Sequence, residues 1–363
     1  MPKLERSMED DLYKARNFSE SVRYSGDTLR VSGDVEHRDS DGLQSYFSLN
    51  SILVSPLVTP IIDKSVNKVI DRLHIPKDSV KAYVYASSEI QAECYAGNDT
   101  DCVVRLSSGL IDILEDEEIE FVIGHEIGHF LYSHSLAAAS ENNESLELSI
   151  QKRAQEISAD RIGLLASESL DASIRAMMKT ISGLSTKYLT FNVGGFLSQL
   201  SNTESFKSQI SINSSHPSML VRCRALLWFS MCDTFKGGSQ DYKCEEVDKL
   251  NEKIRADIDK FVDAKAREKI DELKQDLALW LSASLIIEDG SFDKEEQEKF
   301  AKMFNQDTLD KLKRFLSSHN TSSLKKSIED NIESSKRDLY NEIPTSFDNE
   351  LLKINKKINK QFI

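Results

Sequence analysis

The sequence is poor in glycine and proline, with 14 and 6 among 363 residues. Because these two residues dominate tight turns, their scarcity argues against a fold of many short strands and favours long helices. Positive charge is also in the minority, since 46 Lys and Arg stand against 60 Asp and Glu, a net charge of -14. Binding to nucleic acid depends on clustered Lys and Arg, so the composition argues against a nucleic-acid partner.

Long apolar runs and paired cysteines are missing as well. The longest apolar stretches, residues 51–62 and 277–287, fall short of the roughly 18 residues that a membrane span requires. No apolar run follows a basic start at the N-terminus, so neither a secretory signal nor a transmembrane segment is predicted. The five cysteines form no Cys-x-x-Cys pair and their number is odd. Scattered thiols of this kind fit a reducing compartment, and we expect a cytoplasmic protein.

The order of composition and pattern along the chain predicts three regions. Residues 1–55 are polar and contain turn signals, which indicates an N-terminal extension with a helix near its start. Residues 56–236 combine short strands with apolar helices and carry the histidine motif described below. After a Gly-Gly-Ser turn the composition becomes rich in Lys and Glu, so residues 237–363 are predicted to form a helical accessory domain.

Within the middle region the pattern predicts a small sheet followed by helices. Residues 80–86 and 101–107 have the composition of strands and flank a predicted loop. Helical periodicity follows over 108–136 and again over 144–169, whereas 185–215 is predicted as a long connection with little helix. The expected fold class is therefore mainly α (α+β), with a small β-sheet.

The chemistry of the sequence is concentrated in His125, Glu126 and His129, which spell His-Glu-x-x-His. On a helix, residues four apart share a face, so both imidazoles can reach one metal ion. The intervening glutamate lies at the edge of that face, where it can act as a general base on a water molecule, as in zinc peptidases. The alternative is a helix with two solvated or hydrogen-bonded histidines.

A third ligand would separate these two interpretations. Glu156 lies 27 residues after His129 on the second predicted helix, with Asp160 one turn further on. Glu156 would complete a His-His-Glu set and leave the fourth position to water, and Asp160 could orient a ligating imidazole. The alternative is an exposed acidic stripe with Arg153 and Arg161 as surface ion partners.

A third segment, residues 214–222, places His216 directly before Pro217 at the start of another predicted helix, which also carries Arg222. His216 could reach the metal pocket, or it could simply cap a core helix. Taken singly, the segment leaves both interpretations open.

Taken in order, HEIGH (125–129), EISAD (156–160) and HPSMLVR (216–222), preceded by SSGLIDIL (107–114), resemble the gluzincin peptidases of metallopeptidase family forty-eight, which include HtpX and the CAAX prenyl endopeptidases. The resemblance covers about residues 60–230. It implies a zinc metallopeptidase domain over 56–236, with one zinc ion per chain and active-site helices beside the sheet.

The resemblance also implies roles for individual residues. His125, His129 and Glu156 would ligate zinc, and Glu126 would be the base and proton shuttle. Asp160 would orient a ligand, and Arg222 would organise the pocket through the carboxylates. His216 would lie near the active site, as an oxyanion donor or as an inhibitory ligand of the metal.

The function expected from these features is a zinc-dependent endopeptidase acting on protein or peptide substrates, with strand 101–107 pairing with the substrate backbone. Two alternatives stay open: a zinc hydrolase of non-protein amides, and a latched or non-catalytic zinc protein that binds or regulates partners. Residues 277–304 resemble the unit of TerB-like domains in which an apolar helix, a turn at Asp289-Gly290 and an acidic helix capped near Asp293 follow one another; a generic helical hairpin is the alternative. The C-terminal helices could also support self-association.

Overall fold

A computed structural model describes residues 3–28, 40–96, 100–134, 145–202, 218–232, 244–287, 292–318 and 321–362. These residues are mainly helical and include one four-stranded sheet, which confirms the predicted fold class. The chain divides into two compact units: residues 1–141 with 151–262, and residues 142–150 with 263–363. The predicted division into extension, peptidase domain and accessory domain stays a prediction.

The first unit contains the predicted motif and most of the helices that surround it. Its elements in chain order are α1 (Lys3–Val22), α2 (Ser40–Asn50), β1 (Ile52–Leu53), α3 (Pro60–Arg72), a 3-10 turn (Lys77–Ser79), β2 (Val80–Tyr85), β3 (Ala92–Ala96), β4 (Cys102–Ser107), α4 (Ser108–Ile113), α5 (Asp116–Leu131), α6 (Leu146–Ser167, of which Gln151 onward belongs to this unit), α7 (Leu170–Ser182), α8 (Val193–Leu197), α9 (Gln199–Asn202), α10 (Met219–Ser230) and α11 (Cys244–Phe261).

The sheet has the strand order β1-β2-β4-β3. β2 and β4 run parallel, whereas β1 and β3 are antiparallel to their neighbours. The two predicted strands correspond to β2 and β4, but β3 lies in the predicted loop. Its sequence, Ala-Glu-Cys-Tyr-Ala, contains no β-branched residue and no apolar alternation, so pattern analysis had no signal there. Because β4 is paired on both sides, the expectation that it offers an edge to substrate was wrong; β3 is the edge strand.

The core of this unit forms around α5. Its buried side chains include Ile119, Ile123, Ile127 and Phe130, the apolar face that the helical spacing predicts. α1 belongs to the same hydrophobic cluster through buried residues such as Leu12. The N-terminal helix is therefore part of the layer of packed helices that surrounds the motif.

Two buried carboxylates, Glu118 and Glu120, lie near the start of α5 and are each matched by two cations. A buried carboxylate costs free energy unless charge and hydrogen bonds compensate it, so these pairs serve the fold. The partners are Lys179 Nζ (2.6 Å) and Arg175 Nε (3.1 Å) for Glu118, and Lys68 Nζ (2.6 Å) and Arg72 Nη1 (2.6 Å) for Glu120.

The region 185–215, predicted to have little helix, contains α8 and α9 in its described part, so that prediction was wrong there. The first of these helices begins at a side-chain cap, because the Oδ1 of Asn192 accepts a hydrogen bond from the backbone N–H of Gly195 (2.8 Å). Both helices are too short for a periodic apolar pattern to appear in the sequence.

The second unit is helical throughout its described residues. An apolar cluster that includes Ala283, Phe300 and Ile328 forms its core. The backbone N–H of Glu296 donates to the side chain of Asp293, which therefore caps a helix as predicted, while the predicted Asp289-Gly290 turn lies outside the described residues. A TerB-like identity stays a prediction. The helices are α12 (Ala264–Ile286), α13 (Lys294–Phe304), α14 (Gln306–Ser317), α15 (Thr321–Glu342) and α16 (Phe347–Phe362).

Across the described residues of both units, no helix has both the length and the apolar character needed to cross a membrane.

Candidate metal centre

The helices α5 and α6 approach each other closely along a line of small residues. A Cβ placed on Gly124 would collide with the Cβ of Ala166, and one placed on Gly128 would lie 3.0 Å from the Cα of Ala159. Gly163 on α6 is similarly confined, by the ring of Phe121. Because these positions have no room for a side chain, the histidines of α5 are brought within reach of the acidic residues of α6.

Three side chains meet where the two helices approach. The Nε2 atoms of His125 and His129 lie 3.2 Å apart, and Glu156 Oε2 and Oε1 lie 3.6 Å and 3.5 Å from them respectively. Zinc bonds of about 2.0–2.2 Å in tetrahedral geometry place neighbouring ligand atoms about 3.3–3.6 Å apart. Each of the three residues offers one ligand atom, and these atoms lie within 4.8 Å of one another; the donor set, two imidazoles and a carboxylate, is one that zinc prefers.

Glu126 lies beside this triangle and lines the same cavity, whose volume is about 310 Å³. Among the described residues none forms an ion pair with Glu126. Burial against apolar neighbours raises the pKa of Glu126 to about 7, and the positive His125 and Arg222 oppose part of that rise. The other lining residues are Ile90, Gln91, Ala92, Leu110, Phe121, Val122, His125, His129, Glu156, Met177, Thr180, Met219 and Arg222.

Asp160 and Arg222 support two of the three donors from behind. The guanidinium of Arg222 donates to both carboxylate oxygens of Asp160 (2.8 and 2.6 Å), and its Nη1 lies 2.8 Å from Glu156 Oε2. Asp160 Oδ1 lies 3.0 Å from Nδ1 of His125, within ion-pair distance but without hydrogen-bond geometry. The outer nitrogen of His125 and the carboxylate of Glu156 are therefore both tied to one buried ion pair.

The electrostatics of the two histidines differ. Burial lowers the pKa of an imidazole, but for His125 the neighbouring Asp160 and Glu156 outweigh that effect and raise the pKa. For His129 burial dominates and holds the pKa well below its usual value. A neutral imidazole is the form that binds a metal, so His129 is kept in its ligating form by its surroundings.

The outer nitrogen of His129 meets another histidine. His129 Nδ1 lies 2.8 Å from Nδ1 of His134, and His134 Nε2 lies 3.0 Å from Oδ2 of Asp27. From the sequence alone His134 could support the motif or, as favoured, simply lie at the end of its helix, and Asp27 has no assigned role. The spacing of five residues between His129 and His134 was the available signal for His134. Asp27, a single aspartate in a polar N-terminal segment, carried no signal.

His216 lies outside the described residues, so its predicted place near the metal is not described. The helix that follows it, α10, does reach the cavity, because Met219 and Arg222 line it. Of the other predicted site residues, the structure brings His125, Glu126, His129, Glu156, Asp160 and Arg222 into one cluster; their individual roles stay predictions.

Comparisons with known proteins agree with this geometry. Residues 56–151 match the model of peptidase family M48. A segment of 54 residues is 46% identical to metalloprotease YcaL of Escherichia coli (strain K12), covering 15% of this chain and 20% of that protein. The chain thus matches only about a fifth of this relative's length. No solved structure matches. Over residues 56–151, the segment that contains His125, Glu126 and His129, the chain is therefore similar to peptidase family M48.

Proposed function

We propose that this protein is a zinc-dependent endopeptidase that cleaves extended segments of protein substrates, with Glu126 as the general base. The observation that carries this proposal is the pairing of three zinc-type donors with one carboxylate that has no ion partner among the described residues and faces the same cavity.

The donor set supports a catalytic zinc ion more than a structural one. Structural zinc sites in proteins use four protein ligands, whereas catalytic sites use three and leave one position open. Within the described part of the chain, the cluster contains three donors: His125, His129 and Glu156. We expect these residues to hold one ion per chain, which when bound supplies a Lewis acid that polarises a carbonyl and acidifies water.

The proton chemistry falls to Glu126. Its carboxylate takes a proton from the attacking water and passes it to the nitrogen of the leaving amine, so it acts as a base and then as an acid. In the metal-free protein burial raises the pKa of Glu126 to about 7, and a bound zinc ion would lower it and favour the carboxylate form that accepts the first proton.

The edge strand β3 supplies a place for the substrate backbone. β3 pairs with β4 on one side, and Gln91 and Ala92 at its start line the cavity next to Glu126. An extended peptide added to this edge would run past the donors through main-chain hydrogen bonds. Recognition through the backbone would favour unfolded or loop segments over a particular side chain, and it supports internal cleavage of protein chains.

The edge strand also bears on the alternative of a zinc hydrolase for non-protein amides, because a small amide gains nothing from backbone pairing. Hydrolysis of small amides at rates equal to those of peptides would favour that alternative. A latched or non-catalytic zinc protein would retain the ion and cleave neither class of substrate.

The test compares the wild-type protein with Glu126→Gln for hydrolysis of casein, with zinc supplied and bound zinc measured. Glu117→Gln is the matched control, since it makes the same substitution at an exposed position of the same helix. We expect the wild type and the control to cleave casein, and Glu126→Gln to lose about 100-fold or more at unchanged zinc content.

Equal cleavage by Glu126→Gln would contradict the role of Glu126. If no zinc-loaded variant cleaves casein, His216→Ala distinguishes the remaining cases: activity in that variant would indicate a site latched by His216, and continued inactivity would contradict the peptidase proposal.

Cytoplasmic location and self-association through the C-terminal helices stay predictions.

A further inference from the structure

The two histidines of the metal centre are supported in different ways at their outer nitrogens. His125 faces the carboxylate of Asp160 directly, at 3.0 Å. His129 faces an imidazole instead, and a carboxylate follows only one residue further out: Nδ1 of His129 to Nδ1 of His134 is 2.8 Å, and Nε2 of His134 to Oδ2 of Asp27 is 3.0 Å. The side chains of His134 and Asp27 are almost fully buried, with 3% and 0% exposure, so these contacts are shielded from water.

The positions of the protons in this series of hydrogen bonds follow from counting donors and acceptors. To bind a metal through Nε2, His129 must carry its proton on Nδ1, which then donates to Nδ1 of His134. The proton of His134 is therefore on Nε2, where it donates to Asp27. Each nitrogen of both rings has a defined part in this arrangement. A carboxylate at the far end is the acceptor that fixes this orientation of the protons.

Asp27 is itself held firmly. Arg23 donates to both of its oxygens at 2.9 Å, and Arg23 also contacts Glu20 at 2.7 Å. Burial would raise the pKa of Asp27, but hydrogen bonds from His134 and Arg23 lower it well below its usual range. The carboxylate is therefore ionised and in a fixed position.

The segment that carries Asp27 is anchored to the core by separate contacts. The hydroxyl of Tyr132 donates to the backbone carbonyl of Ser19 (2.7 Å), and Arg161 donates to the carbonyl of Val22 (2.8 Å). The backbone N–H of Tyr24 donates to the hydroxyl of Ser158 (3.2 Å). Residues 19–27 thus form a built support behind α5, and they lie outside the segment that matches the family model.

We propose that His134 and Asp27 are positioning residues of the metal centre: they hold the imidazole of His129 in the tautomer and orientation that present Nε2 to the metal. The N-terminal segment around Asp27 is then part of the metal centre. This inference rests on the proposed zinc site of His125, His129 and Glu156.

The test measures zinc affinity of the full-length protein by competition with a chelator for the wild type, His134→Leu, His134→Gln and Asp27→Asn. Leucine fills much of the space of His134 but accepts no hydrogen bond, and glutamine retains an acceptor. Loss of such an outer partner weakens metal binding by about 10–100-fold, which is the result expected for His134→Leu. His134→Gln should recover part of that loss, and Asp27→Asn should fall between it and the wild type, because the asparagine oxygen accepts as a neutral group.

Tyr132→Phe is the matched control. It removes the hydrogen bond to Ser19 and so weakens the same N-terminal segment, but it keeps the ring that stacks against His134 and leaves the histidine chain intact. The visible absorption of the cobalt-substituted protein reports ligand geometry independently of activity. We expect altered bands in His134→Leu and unaltered bands in Tyr132→Phe. Circular dichroism of the metal-free proteins establishes that each variant is folded.

The inference is overturned if folded His134→Leu and Asp27→Asn bind zinc as tightly as the wild type with the same cobalt spectrum, or if Tyr132→Phe loses as much affinity as they do. If His134→Leu does not fold, His134→Gln and Asp27→Asn are compared with the wild type instead. Zinc affinities and cobalt spectra equal to those of the wild type in both variants would overturn the inference. A wild type that binds no zinc would instead refute the metal site, so the two failures are distinguishable.

Discussion

The environments of two fully buried carboxylates at the start of α5 and of a half-buried one further along the helix are opposite. At its start, Glu118 and Glu120 are each matched by two cations at 2.6–3.1 Å. Further along the same helix, Glu126 has no ion pair among the described residues, and its pKa rises to about 7. Compensated carboxylates stabilise the fold, whereas a carboxylate without a counterion is available for proton transfer. This contrast supports the proposed role of Glu126, because within the described part of the chain it lacks the counterions that Glu118 and Glu120 have.

The largest effect is expected from removing one of the two cations that compensate the buried carboxylate of Glu118 at the start of α5. Lys179→Met leaves Glu118 buried with Arg175 as its remaining cation, so we expect a loss of about 3 kcal/mol in the free energy of unfolding. Urea denaturation of the metal-free protein measures this change. Zinc affinity should be unchanged, since Lys179 touches no donor; a parallel loss of zinc binding would show that the two ends of α5 are not independent.

A smaller effect is expected from disturbing the contact between α5 and α6. Gly124→Ala places a methyl group against Ala166, so the helices must separate, at a cost of about 1–3 kcal/mol. Because the donors lie on these two helices, zinc binding should weaken as well. Gly194→Ala is the control, since the nearest atom to its Cβ lies 3.6 Å away. Unchanged zinc affinity in Gly124→Ala would contradict the idea that this contact sets the donor spacing.

The last expected effect, similar in size to the one before, concerns the uncompensated carboxylate itself. The folded-state pKa of Glu126 lies above the unfolded value, so protonation stabilises the metal-free protein at low pH and that stability is lost as pH rises from about 4.5 to 7. Glu126→Gln removes this loss, and metal-free Glu126→Gln should be about 1–3 kcal/mol more stable than the wild type above pH 7. The two proteins should be equally stable below pH 4.5.

Unfolding of both proteins across this pH range, with chelator present, checks the sign. A difference that is constant with pH would mean that the carboxylate does not titrate in the window given. Glu117→Gln, exposed on the same helix, should show no such pH-dependent gain.

Much of this account is readable in the sequence where periodicity and chemistry coincide. The helical spacing of apolar residues predicted α5, and His125, Glu126 and His129 followed from one motif. Glu156 and Asp160 came from a second helix of correct spacing. These features are local, so a short window of sequence contains all the information that they need.

The rest depends on contacts between distant segments. The sequence of β3 has no strand pattern, and these residues form a strand because they pair with β4. Asp27 meets His134 across 107 residues of chain, and no property of either residue predicts that contact. The expected edge strand was wrong for the same reason, since the strand order of a sheet is set by tertiary packing rather than by the strand sequence.

The most direct test of the central claim is a zinc titration of the metal-free wild type, Glu126→Gln and Glu156→Gln, with bound zinc per chain as the readout. If His125, His129 and Glu156 are the ligands and Glu126 is the base, the wild type and Glu126→Gln will each bind one ion with similar affinity, and Glu156→Gln will bind it far more weakly. Binding by Glu156→Gln that equals the wild type, or loss of the ion in Glu126→Gln, would contradict this assignment of the metal centre.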